Sequence, residues 1–202
     1  MAKEMARTYF QDLFELLIHT QVTDQEGASL SLEEGTDRAV EMILSVGAAA
    51  RKVLMIGNGG SAAIVSHIQN DLCKAANVRG LVFNEQPLLT AISNDIGYES
   101  VFELPVGLWA NAGDLLLAVS SSGQSENILR GVRAAADHDC RIITLSGFGA
   151  DNQLRRMGHL NFYVPGQVYG YVETAHMALA HCITDRATKL RGEAVVREEE
   201  YA

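Results

Sequence analysis

The residues Lys52-Val53-Leu54-Met55-Ile56-Gly57-Asn58-Gly59-Gly60-Ser61 join a nearly unbroken apolar run to a glycine-rich turn. Four large apolar side chains in succession, with no polar alternation, suit a strand buried on both faces of a parallel sheet, where helices cover either side. Residues 114–119 and 141–145 repeat the pattern, and residues 81–83 and 162–164 are shorter candidates. Helical periodicity fills the intervals at 62–75, 98–110, 126–136 and 170–190. Strand and helix alternate, which predicts an α/β protein: a doubly wound, Rossmann-like or flavodoxin-like parallel five-stranded sheet flanked by helices. Two helices precede it, at 1–19 and 36–50, joined by a polar link containing Gly27 and Ser29. They are expected to form a helical hairpin that packs on the core or on a neighbouring subunit. Three units follow: helices at 1–50, the α/β unit at 51–190, and a charged, frayed tail at 191–202 carrying Glu198, Glu199 and Glu200.

Composition narrows the function. The 202 residues are 48% hydrophobic and 20% charged, a soluble globular balance. No apolar run is long enough for a membrane span or a secretory leader, so a cytoplasmic protein with no membrane partner is expected. Cys73, Cys140 and Cys182 are odd in number and widely spaced, as reduced structural residues are. A net charge of −9 with only four lysines removes the electrostatic drive for nucleic acid. An anionic partner must then be small and held locally, for which backbone amides at a helix N-terminus suffice.

Sheets of this class bind ligands beyond the carboxyl ends of their strands. The loop after Ile56, with Gly57, Asn58, Gly59, Gly60 and Ser61, allows positive φ at its glycines and ends in a residue suited to cap the next helix. The loop after Val119 offers Ser120, Ser121, Ser122 and Ser125 around Gly123. Hydroxyls and amides without a lysine or arginine suit a phosphate monoester. Nucleotide binding fits poorly, since the first loop lacks the Gly-Lys-Ser/Thr ending of a P-loop and no acidic residue follows at ribose-clamp distance.

His67 and Asp71, four apart, share one strip of their helix. On the late helix Val172, Ala175, Leu179, Cys182 and Ile183 form an apolar face with His176 at its border, and Glu173 and His181 fall opposite. No lysine or arginine occurs from Tyr169 to Thr184, so that opposite side is expected to face a partner subunit or a cavity. The two histidines and two carboxylates suit proton transfer or a divalent metal such as zinc, and spacing does not separate these roles. His19, His138, His159 and His176 are read as core or surface residues.

Taken together, Gly57 to Ser61, His67 with Asp71, Ser93-Asn94-Asp95, Ser120 to Ser125, and Glu173-x-x-His176-x-x-x-x-His181 resemble a sugar isomerase (SIS) domain of the phosphoheptose isomerase type over residues 52–183. The resemblance implies the SIS fold and an aldose–ketose isomerase, acting on sedoheptulose 7-phosphate to form D-glycero-D-manno-heptose 7-phosphate. It implies Asp71 and His181 as the pair exchanging protons through an enediol, and His67, Asp71, Glu173 and His181 as a zinc set. Gly59, Gly60, Ser61, Ser120, Ser121, Ser122 and Ser125 would hold the phosphate, and Asn58, Asp95 and Glu173 the sugar. A homotetramer with interfacial active sites is also implied. Departures fall at the sugar end: Asp71 replaces a glutamate, Glu173 a glutamine and Gly170 an aspartate, and Ala62 stands where histidine is common. A non-catalytic, DiaA-like tetrameric SIS protein that gathers partners, or an isomerase of another ketose phosphate, are the alternative readings.

Overall fold

The computed structural model describes the backbone of residues 5–200 and side chains as far as residue 192. The first four residues of the expected first helix, and the end of the expected tail with its glutamate side chains, lie outside the described residues. The five parallel strands are β3 (Lys52–Gly57), β4 (Arg79–Val82), β5 (Leu115–Ser120), β6 (Arg141–Ser146) and β7 (Leu160–Tyr163). They stand in the spatial order β4-β3-β5-β6-β7.

Two more strands extend this sheet to seven. The link expected between the first two helices forms β1 (Gln21–Asp24) and β2 (Ser29–Leu30). β1 runs antiparallel to β7, with Val22 opposite Phe162, and pairs on its other side with β2. β1 keeps the edge of β7 from lying open. The flanking helices are α1 (Met5–Ile18) and α2 (Leu32–Ala48). α2 begins before the expected Thr36 because Ser31 and Glu34 cap it reciprocally: the Glu34 N–H donates to Ser31 Oγ at 3.1 Å, and Ser31 N–H donates to Glu34 Oε2 at 2.9 Å.

Each central strand buries both faces. On β3, Val53 and Met55 join one core with Val65, Ile68 and Leu72 of α3 (Gly60–Lys74), whereas Leu54 and Ile56 join another with Ile128, Leu129 and Val132 of α6 (Glu126–Ala136). On β5, Leu115, Leu117 and Val119 face the first core and Leu116 and Ala118 the second. Period-two alternation between two apolar environments is what the unbroken apolar runs encode. The strands are also pinned at their starts. The fully buried Asp114 accepts the Lys52 N–H at 3.0 Å and the Asn111 N–H at 2.9 Å, and pairs with the Lys52 ammonium.

The remaining helices refine the sequence reading. α4 (Gln86–Asp95) occupies a stretch for which no helix was expected, and Pro87 stands in its first turn, where proline fits. The helix expected at 98–110 is a 3₁₀ turn, Tyr98–Ser100, followed by the short α5 (Glu103–Trp109). α7 (Tyr169–Glu200) continues through the stretch expected to fray from Arg191. On it Cys182, expected on the apolar face, is exposed, while His176, expected at the border of that face, is fully buried.

His176 Nε2 lies 3.0 Å from the Ser146 carbonyl at the end of β6. A carbonyl only accepts, so Nε2 carries the proton and Nδ1 is bare; Nδ1 has no hydrogen-bond partner among the described residues. Burial pushes the His176 imidazole down to about 4 from the usual 6.5, partly countered by this bond. The unfolded chain therefore takes up a proton near pH 6.5 that the folded chain refuses until about pH 4. Stability from this group is complete above pH 6.5 and declines as pH falls toward 4, by about 2 kcal/mol at pH 5. Urea unfolding of the wild type and of His176→Gln, which keeps an N–H for Ser146, should show a steeper acid loss in the wild type; parallel profiles would refute this account.

Candidate active site

β3 and β5 are neighbours, with Gly57 paired to Val119, yet α3 and α6 pack on opposite faces of the sheet. The loops after these strands therefore flank the topological switch point, where an open α/β sheet leaves a crevice. At Gly57 a Cβ would meet the Ser61 carbonyl group at 2.6 and 2.7 Å and the Ala62 nitrogen at 3.0 Å, so the tight turn excludes any other residue. Gly59 alone of the loop's three glycines has positive φ, at 52°, and it is the N-cap of α3. Ser61, expected as that cap, lies instead in the first turn with its side chain buried, and no side chain caps the helix. At Gly60 a Cβ would run into the Glu173 carboxylate.

Asn58 is held on three sides. Its Nδ2 donates to Asn127 Oδ1 at 2.9 Å, its Oδ1 accepts from Asn127 Nδ2 at 2.8 Å, and the Tyr98 hydroxyl donates to the same Oδ1 at 3.0 Å. Asn127 is buried in the first turn of α6, so this amide pair ties the two loops together across the switch point. Sequence reasoning missed Asn127 and Tyr98; two asparagines each one residue into a loop or helix start, 69 positions apart, carry no local signal. Beside them opens a cleft of about 270 Å³ lined by Asn58, Ser66, Asn84 and Tyr98. Asn84 Nδ2 donates to Ser66 Oγ at 2.7 Å on its wall.

In the second loop Ser120 and Ser121 are buried and Ser122 and Ser125 half-buried. Ser120 Oγ accepts the Gly123 N–H at 3.2 Å and Ser122 Oγ the Gln124 N–H at 3.3 Å. Ser125 stands at the N-cap of α6 without a side-chain capping bond, and Ser121 Oγ finds no partner among the described residues. Hydroxyls and helix-start amides are thus gathered at both loops without a cation.

α3 and α7 lie side by side, and their facing residues form the titratable cluster. Asp71 Oδ2 is 3.6 Å from His67 Nε2 and 3.4 Å from His181 Nδ1, and the two imidazoles meet edge to face at 4.9 Å between centroids. One ligand-type atom from each of these residues lies within 4.8 Å of the others. Glu173 is not in this group; eight residues earlier on α7, its carboxylate rests against Gly60. Asp95 ends α4 on the exposed surface, where its Oδ1 accepts from Asn94 Nδ2 at 2.7 Å. His67 is seven residues beyond Gly60, a rise of about 10 Å. A carboxylate between two imidazoles can accept and return a proton, and it stands on the helix that begins at the glycine turn.

Residues 19–147 match the SIS domain family, and the chain belongs to it. It is 30% identical over 183 residues to the phosphoheptose isomerase of Shewanella denitrificans, covering 87% of this chain and 91% of that one. Among solved structures it is similar to phosphoheptose isomerase GmhA from Neisseria gonorrhoeae, with 27% identity, a TM-score of 0.79, and coverage of 93% of this chain and 99% of that one. The phosphoheptose isomerase from Francisella tularensis superposes with a TM-score of 0.80 at 25% identity, covering 94% and 99%.

Replacing Asn127 by Ala should lower stability to urea by about 1–3 kcal/mol, because it leaves Asn58 Nδ2 without its acceptor while Oδ1 keeps only the Tyr98 hydroxyl. An unfolding midpoint unchanged from wild type would show that the amide pair does not hold the loops.

Proposed function

We propose that this chain is an aldose–ketose isomerase that converts sedoheptulose 7-phosphate to D-glycero-D-manno-heptose 7-phosphate. The observation that carries the reading is the convergence of Asp71 with His67 and His181, two of them on the helix that leaves the cation-free glycine loop. The loops, through Ser61, Ser120, Ser122, Ser125 and the helix-start amides, hold the phosphate. Asp71 takes the proton from the carbon beside the ketone and returns it to the former carbonyl carbon. His181 moves the matching proton between the two oxygens, so the enediol forms and collapses without net gain or loss. The intact cluster favours this over a DiaA-like binding role, which has no use for a carboxylate set between two imidazoles.

Two imidazole nitrogens and a carboxylate oxygen also fit a catalytic zinc site, which keeps a position open beyond its protein ligands. His67, Asp71 and His181 would hold the ion, and it would polarise the substrate carbonyl. Glu173 would join them only by leaving Gly60. A homotetramer, in the cytoplasm, is part of the same proposal. α1 packs the half-buried Leu13, Leu16 and Leu17 against the core but presents Phe10 and Phe14, and α5 presents Leu108 at 79% exposure with Trp109 beside it. Exposed apolar faces of that kind support association between copies.

Asp71→Asn should reduce turnover of sedoheptulose 7-phosphate by about a hundredfold or more while leaving its binding measurable by calorimetry. Turnover equal to wild type would remove Asp71 from the chemistry. Assays with and without a chelator test the zinc, and absence of product in both would favour the binding module. Light scattering should give a tetramer, and a monomer would refute shared sites.

A further inference from the structure

The loop that follows β6, residues 147–157, has no part in the chemistry described above, yet it is fastened along the length of the serine loop. The Gly147 N–H donates to the Ser121 carbonyl at 3.0 Å and the Leu154 N–H to the Gly123 carbonyl at 3.1 Å. Gln153 Nε2 donates to Gln124 Oε1, also at 3.1 Å.

At the centre of this contact Asn152 is completely buried. Its Nδ2 faces the Gly149 carbonyl at 2.8 Å, the Gly147 carbonyl at 3.1 Å and Ser146 Oγ at 3.3 Å. Its Oδ1 accepts the Arg155 N–H at 3.0 Å. An amide satisfied on both ends by fixed backbone groups cannot turn or shift without leaving a buried polar group unpaired. Its carboxamide lies against the α-carbon of Gly123, close enough that a Cβ there would occupy the same space. Gly123 has φ +61°, and its N–H closes the turn onto both the carbonyl and Oγ of Ser120. The shape of the serine turn and the place of Asn152 therefore determine each other.

We propose that Asn152 is a positioning residue for phosphate binding: it sets the Gly123 turn so that the Ser122 and Ser125 hydroxyls and the α6 amides converge on one anion. The proposal rests on the serine loop being the phosphate site, as argued above. Asn152 touches no substrate; it acts through Gly123. It governs the phosphate end and none of its hydrogen bonds goes to Asp71 or His181, so its loss should weaken binding and spare the proton transfer.

Asn152→Ala is expected to raise KM for sedoheptulose 7-phosphate, and Kd for inorganic phosphate by calorimetry, about tenfold or more, with kcat within about twofold of wild type. Gly123→Ala reaches the same contact from the other side and should also raise KM. The double variant should raise it less than the product of the two, because the new methyl enters the space that the amide vacates. Circular dichroism and unfolding midpoints confirm that each variant compared is folded. Should Asn152→Ala not fold, Asn152→Ser, which keeps a hydroxyl for the backbone, takes its place in the same measurements. Ser125→Ala separates the two readings. If it raises KM and the Asn152 variant does not, the serine loop remains the phosphate site and Asn152 is not its positioner. If neither moves KM or the phosphate Kd, the phosphate reading itself falls and this proposal with it.

Discussion

The bond from His176 Nε2 to the Ser146 carbonyl locks a 32-residue helix to the end of a central strand. It holds because the imidazole is buried and neutral, so the one proton it keeps goes to the Ser146 carbonyl 3.0 Å away. The same stretch of α7 buries Val172, Ala175, Leu179 and Ile183 in the core, and held by both, the side chains on either side of His176 have set destinations. Glu173 falls on Gly60 at the start of α3, and His181 falls on Asp71 farther along the same helix. The two contacts mean that α3 and α7 run in the same sense, in contact at both ends of the region where the site lies.

The switch point supplies the other half of the arrangement. β3 and β5 are adjacent but send their chains to opposite faces, so their two following loops stand next to one another with helix starts behind them. Such a place attracts an anion through amides and dipoles, with no lysine or arginine needed. That fits a chain of net charge −9, in which broad positive potential is absent. The Asn58–Asn127 pair keeps the loops in register with each other, and the loop after β6 supports the serine turn from behind.

Much of this was legible in the sequence. The apolar runs at 52–56, 114–119 and 141–145 identified buried parallel strands because burial on both faces demands apolar residues at consecutive positions. His67 and Asp71 were placed on one helical strip by their spacing of four. β1 and β2 were not legible: a strand of four residues and one of two have too little periodicity to stand out, and β1 exists because the edge of β7 offers it partners. The start of α2 was legible and overlooked, since Ser31 and Glu34 have the spacing of a reciprocal cap. Cys182 was assigned to the apolar face by helical angle, but the angle alone does not say how wide a stripe the neighbouring sheet covers.

By itself the sequence determined the alternation of strands and helices, the two loops rich in glycine and serine, and the residues able to carry protons or hold a metal. Those are local properties, set by hydrophobic period, by φ freedom and by side-chain chemistry. Only the tertiary structure decided which of them meet: that His181 joins Asp71 and His67 while Glu173 goes to Gly60, that Asn58 pairs its amide with Asn127, and that Asn152 packs on Gly123 of the serine turn. Those meetings depend on how α7 and the loop after β6 pack against the sheet. Packing joins residues distant in sequence, through contacts that no local pattern records.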